Sequence, residues 1–284
     1  MPYFHSRQFA TLTLRLCVLA LVAALALMAT AAHAEFDHEH AAWTRLLSQH
    51  VVLIDGGKAS RVRYAGFARD HAALDAYLET FAAVTPQAYA RWSRGQQLAF
   101  LINAYNAFTI KKILTRYPDL RSIRDFGSFI GNPWKDKFFT LLGKPMSLDN
   151  IEHDTIRVPG AFDEPRVHFA LNCASVGCPM LREEPYTAAR LDRQLDEQVQ
   201  RFLSDRTRNR IDAASGTLEV SRIFDWYGKD FNQGWHGYRS LPQFFAIHAE
   251  ILSDDPQQRR RLHDQQLKIE FLDYDWGLND AGRR

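Results

Sequence analysis

Between Ser93 and Pro118 the apolar positions recur on two sides of a helix rather than one. Leu98, Leu101, Ile102, Tyr105 and Phe108 form one face, and Phe100, Ala104, Ala107, Ile110 and Leu114 form another. Ser93 followed three residues later by Gln96 is a capping box, and Pro118 closes the far end. A helix apolar on two sides is predicted to be buried. Asn103 and Asn106 are then carried inside the protein or onto the wall of a cleft.

Shorter patterns flank this helix. Trp43, Leu46 and Leu47 predict a helix within 35–49, while VVLID and RVRYAGF read as strands around Gly56-Gly57. Asp70 is placed to cap a helix carrying Leu74, Tyr77, Leu78 and Phe81. FFTLLGKPMSLDNIEHDTIR reads as a strand, a turn and a helix capped by Ser147. In RVHFALN, Val167, Phe169 and Leu171 alternate with His168, Ala170 and Asn172, the period of a strand. An amphipathic helix (Leu191, Leu195, Val199, Phe202, Leu203), a hairpin around Ser215-Gly216 and a strand in LKIEFLDYDW follow. Without a repeat or a linker, the pattern predicts one α+β domain over 35–284. Its buried central helix is expected to pack on a mainly antiparallel sheet.

The first 34 residues are set apart by composition. Arg7 and Arg15 precede an apolar run from Cys17 to Ala32, and Ala32-His33-Ala34 offers a small-residue cleavage site. A cleaved signal peptide is predicted over 1–34, with a periplasmic or secreted mature chain. That chain has no second apolar run long enough to span a membrane. Removing Arg7 and Arg15 from the 35 basic residues leaves 33 against 33 acidic ones. A chain without excess positive charge is poorly suited to general nucleic-acid binding.

Two cysteines remain, Cys173 and Cys178, both in HFALNCASVGCPML. Cys173 could be a nucleophilic thiol with His168 or His153 as its base and Asn172 or Asn106 orienting groups or donating to an oxyanion. Alternatively a Cys173–Cys178 disulfide could staple the turn, in which case the sulfur is not available for attack. The spacing is not C-x-x-C. In IEHDTIR, His153 and Arg157 share a helical face beside Glu152 and could bind a carboxylate, phosphate or carbonyl, or simply form a solvated ion-paired surface. Trp226 and Tyr227 open an aromatic-rich stretch that could line a peptide or glycan groove or pack under a loop. The ligand types of DHEH (Asp37 to His40) have no companion motif, and no phosphate-binding glycine loop is present. No metal and no cofactor is predicted.

AFLINAYNAFTI, SLDNIEHDTIR, RVHFALNCASVGCPML, SRIFDWYGKDF and LDYDWGLN together resemble the bacterial and plant family called domain of unknown function 547, in family order over roughly 96–279. The resemblance implies a relation to papain-like and transglutaminase-like folds, with a core helix over 96–117, then His168, then Asp273 or Asp275. Such folds place a cysteine at the start of the core helix, and none stands near Ser93 to Gln97. Inheritance of the fold would thus mean either a nucleophile moved to Cys173 or a lost activity. Asn103, Asn106, Glu152, His153, Arg157, His168, Asn172, Cys173 and Cys178 are the cleft residues the resemblance implies. Three expectations result: a thiol hydrolase or acyltransferase acting on amide bonds in the cell envelope; a non-catalytic envelope module that binds a peptide or glycan; and a redox or metal role for the cysteine/histidine cluster, which would need four convergent ligands that the sequence does not visibly offer.

Overall fold

The computed structural model describes residues 35–127 and 132–283, so the predicted signal peptide lies outside the described residues. Glu35 to Asp37 have no regular secondary structure, and the described residues from His38 onward form one compact unit. Helix α1 (Ala41–His50) leads into the hairpin β1 (Val51–Ile54) and β2 (Ala59–Val62), then α2 (Tyr64–Arg69), α3 (His71–Ala82) and the single turn α4 (Pro86–Tyr89). The long helix α5 (Arg94–Leu114) is followed by the hairpin β3 (Phe139–Leu141) and β4 (Lys144–Met146), and by α6 (Leu148–Ile151). Helix α7 (Leu191–Ser204) precedes β5 (Arg210–Ile211), β6 (Leu218–Val220) and α8 (Ile223–Trp226). The chain closes with α9 (Leu241–Ile247), α10 (Ala249–Leu252), α11 (Pro256–His263) and β7 (Ile269–Phe271).

The class is α+β. The strands form three small sheets: β1–β2 and β3–β4 are antiparallel pairs, and β6 pairs antiparallel with β5 and parallel with β7. The neighbours of α5 are helices α2, α3 and α6. The expected Ser93–Gln96 capping box forms, and Ser147 caps α6 as expected, with Asn150 completing a second box. Asp70 does not cap α3; its carboxylate instead bonds His50 Nε2 at 2.7 Å. RVRYAGF is a strand only to Val62 and then turns into α2. A side chain at Gly66 would lie 2.4 Å from His50 Nδ1, so glycine lets α2 approach α1.

The expected strand at RVHFALN is absent. Pro165–Phe169 is a 3-10 turn, capped by the Glu164 carboxylate accepting the Arg166 N–H, and residues 170–189 are irregular. Alternation misled here because the segment is buried on every side, from Arg166 to Asn172. Its peptide groups find partners in side-chain amides. On α5, Asn106 donates to the Ala170 carbonyl (3.0 Å) and accepts the Asn172 N–H (2.8 Å), while Asn103 does the same for the carbonyl (2.7 Å) and N–H (3.1 Å) of Tyr186. From the other side, Gln194 of α7 spans the Pro185 carbonyl (2.8 Å) and the Thr187 N–H (3.1 Å), and Gln198 reaches the Phe169 carbonyl (3.1 Å). Phe169 is fully buried in an aromatic core with Phe202, Phe224, Phe231 and Phe244.

Asparagine can do this because its carboxamide offers one donor and one acceptor in a plane, as a peptide does. Replacing Asn106 by Ala would leave a buried carbonyl and a buried N–H without partners. The N106A variant is expected to lose roughly 2–5 kcal/mol of stability, measured by urea unfolding; a change within 0.5 kcal/mol, about that of an ordinary surface substitution, would contradict the clamp.

Candidate active site

The loop after Asn172 is fixed at both ends. Asn172 accepts the Ala174 N–H (3.1 Å) and donates to the Pro179 carbonyl (2.7 Å), closing the loop on itself. The C-terminal segment zips along it: Val176 N–H to Gly277 O (2.7 Å), Gly177 N–H to Asp275 O (2.8 Å) and Asn279 N–H to Ala174 O (3.0 Å). A Cβ at Gly177 would stand 3.0 Å from the Asp275 nitrogen, so any other residue would push the two segments apart by a few tenths of an ångström. Ala174, immediately after Cys173, sits at φ 66°, in the left-handed region that an alanine enters at a cost of about 1–2 kcal/mol. Packing holds the turn there.

The turn presents Cys173 to a cavity of about 290 Å³, whose walls include Tyr105, Glu152, His153, His168, Trp226, Tyr227, Tyr274 and Trp276. Both cysteines are free thiols, Cys173 half-buried and Cys178 buried. The Cys173 sulfur lies 3.1 Å from the Ser175 hydroxyl and 3.2 Å from the Tyr274 hydroxyl, which are 2.9 Å from each other. The Cys173 N–H donates to the Cys178 sulfur at 2.8 Å. Hydrogen bonding from the Cys178 thiol, then from Ser175 and Tyr274, outweighs burial and holds the Cys173 thiol down to about 7. Burial pushes Cys178 and Tyr274 well up, so both remain protonated donors at neutral pH.

A second network faces the cavity. His168 Nε2 bonds Asp230 Oδ2 at 2.8 Å, and the imidazole stacks on Tyr227 with ring centroids 4.0 Å apart. Arg157 grips the same carboxylate with Nε (2.6 Å) and Nη2 (3.1 Å) and donates from Nη1 to His153 Nδ1 (2.6 Å). Burial alone would raise the Asp230 carboxyl, but His168 and Arg157 together hold it down to about 2. Burial lowers His168 despite Asp230, so the ring is neutral at pH 7 and keeps Nδ1 free of protein hydrogen bonds among the described residues. Residues Glu152–Ile156 form a π-helical turn, with the Arg157 N–H bonded to the Glu152 carbonyl (2.9 Å). This extra residue in the turn is a feature common at functional sites.

The cavity gathers Cys173, Cys178, His168, His153, Glu152, Trp226 and Tyr227. Arg157 stands behind it, through His153 and Asp230. Asn103, Asn106 and Asn172 do not line it. Their amides are used by the backbone, which corrects their assignment as substrate-binding or oxyanion-donating groups. The partner of His168 is Asp230, while Asp273 and Asp275 line a separate hollow behind Tyr274. Sequence reasoning missed Tyr105, Trp134, Asp149, Ser175, Asp230, Tyr274 and Trp276. Asp230 and Tyr274 lie within motifs already singled out, SRIFDWYGKDF and LDYDWGLN, and that was the available signal.

Among the described residues no group of three or more His, Cys, Asp or Glu side chains could hold a metal ion, and no helix is long and apolar enough to cross a membrane. The molecule is thus an α+β protein with a thiol and a histidine–carboxylate pair on one aromatic cavity. The model of the family described as "Protein of unknown function, DUF547" matches residues 89–203 of the chain. The match contains Cys173, Cys178, His153 and His168 but stops short of Tyr227, Asp230 and Tyr274. No curated protein and no solved structure gives a significant match.

Because the thiolate is stabilised by donors, the rate of Cys173 alkylation by iodoacetamide is expected to rise with pH through a midpoint near 7. The midpoint should move upward in C178A and Y274F, since each removes a donor. A wild-type midpoint at the ordinary thiol value of about 8.5 would refute the arrangement.

Proposed function

We propose that this protein is a thiol-dependent hydrolase or acyltransferase acting on amide bonds in the cell envelope. The observation that carries this reading is the position of Cys173 on one cavity with the His168–Asp230 pair. The Cys173 sulfur attacks the carbonyl carbon, forming a C–S bond and a tetrahedral oxyanion. When Cys173 starts as a thiol, its proton passes through a cavity water to His168 Nδ1, because no direct hydrogen bond joins the two side chains among the described residues. Asp230, braced by Arg157, fixes the ring and steadies the imidazolium, which then gives its proton to the leaving nitrogen as the C–N bond breaks. Water or an acceptor nucleophile attacks the thioester next, with His168 taking its proton, and the acyl group departs as an acid or a new conjugate while the sulfur regains its thiolate.

The aromatic lining supports a second reading, a module that binds an envelope peptide or glycan without chemistry. Trp226 is 42 % exposed and packs near Tyr274 (4.8 Å) and Trp276 (5.5 Å), leaving ring surface for a ligand. Turnover separates the two. On a panel of fluorogenic peptide amides, C173A is expected to lower turnover at least about a thousandfold, with a smaller loss in D230N. Turnover unchanged in C173A would refute the thiol mechanism, and turnover absent from the wild type across the panel would favour the binding module.

We place the mature protein in the periplasm or outside the cell, on the strength of the apolar run and Ala32-His33-Ala34. Intact mass of the exported form is expected to correspond to a chain beginning at Glu35. Recovery of the full-length chain in the cytosol would contradict it.

A further inference from the structure

The charge of the cavity bears on what enters it. Two carboxylates line it, Asp149 and Glu152, and Cys173 adds a third anion when ionised; no lysine or arginine is among the lining residues. The nearby cation Arg157 is already matched by its two bonds to Asp230. Arg157 also donates to His153 Nδ1 at 2.6 Å, which turns Nε2 of that ring toward the cavity side. His153 Nε2 lies 3.8 Å from Asp149, beyond hydrogen-bonding distance. Glu152 is buried, lies close to the Tyr227 hydroxyl, and has no ion-pair partner among the described residues. One hydroxyl leaves most of the acceptor capacity of a buried carboxylate unused, a costly state unless a cation completes it.

The walls suit such a cation. Trp134, Trp226 and Trp276 line the same space, and indole faces attract ammonium groups. Lys135 stands outside, on a groove that shares Asn132, Asp149 and His153 with the cavity. That groove also carries Asp154, so carboxylates outnumber lysine and arginine side chains in both spaces.

We propose that the cavity selects substrates carrying a primary ammonium group near the scissile carbonyl, with the ammonium held by Asp149 and Glu152 among the indole rings. The reaction rests on the thiol reading given above, but the binding preference does not. An amine on the substrate is drawn in, and a carboxylate at the same position is repelled.

Binding of two probes to the full chain tests this by calorimetry at low salt. The probes are Nα-acetyl-lysinamide and its Nε-acetylated counterpart, which have the same backbone and differ in charge. The charged probe is expected to bind at least about tenfold more tightly, with the preference falling as salt rises. The preference should persist in C173S and collapse in D149N and in E152Q, whose folding is checked by circular dichroism. If E152Q fails to fold, D149N decides. Equal affinity for the two probes, no binding of either, or a preference untouched in D149N would overturn the proposal. Loss of turnover in C173S with the preference kept supports both readings; turnover retained in C173S sinks the thiol mechanism alone.

Discussion

Everything at the site depends on irregular backbone being kept out of water. The segment from Pro165 to Thr187 crosses the interior without joining a sheet, and buried peptide groups without partners would cost more than the fold can spare. Four carboxamides supply the partners: Asn103 and Asn106 from α5, Gln194 and Gln198 from α7. These side chains substitute for neighbouring strands. They also explain why a helix buried on two sides carries asparagines at all. Held in this way, the chain can make the left-handed turn at Ala174 and aim Cys173 at the cavity instead of burying it as a small apolar residue.

The electrostatics follow from that placement. An isolated thiolate would not survive in so enclosed a position, since desolvation favours the neutral form. Here two hydroxyls converge on the sulfur, with the Cys178 thiol beside it, and they come from the same loop and from the C-terminal segment zipped to it. His168 is organised separately. Asp230 fixes one ring nitrogen and Arg157 braces the carboxylate, leaving Nδ1 for the cavity. Thiol ionisation and proton transfer are divided between two networks that meet only across the cavity. Such a division keeps His168 neutral, able to take the thiol proton in the proposed reaction.

Much of this was legible in the sequence, and the parts that were not have a common cause. The helix α5 was readable because its two apolar faces and its capping box are local signals. The Ser147 cap, the β5–β6 hairpin around Ser215-Gly216 and the pairing of His153 with Arg157 were readable for the same reason. The alternation in RVHFALN was an accident of a segment buried on all sides, and its true partners lie on helices remote in sequence. Asp230 is 62 residues from His168, and Tyr274 is 101 residues from Cys173, so no spacing rule could assign either. The asparagines were correctly placed inside, but their donors and acceptors were already committed to the backbone. Only the three-dimensional pairing reveals that.

The central claim is that Cys173 is a free, ionisable thiol whose neighbour Cys178 stays protonated. Its most direct test is a pH titration by NMR of protein labelled at cysteine ¹³Cβ, assigned with single Cys→Ser variants. The Cys173 resonance is expected to titrate with a midpoint near 7 while Cys178 holds the chemical shift of a thiol throughout. Both resonances at disulfide shifts, or a Cys173 midpoint at or above about 8.5, would contradict it.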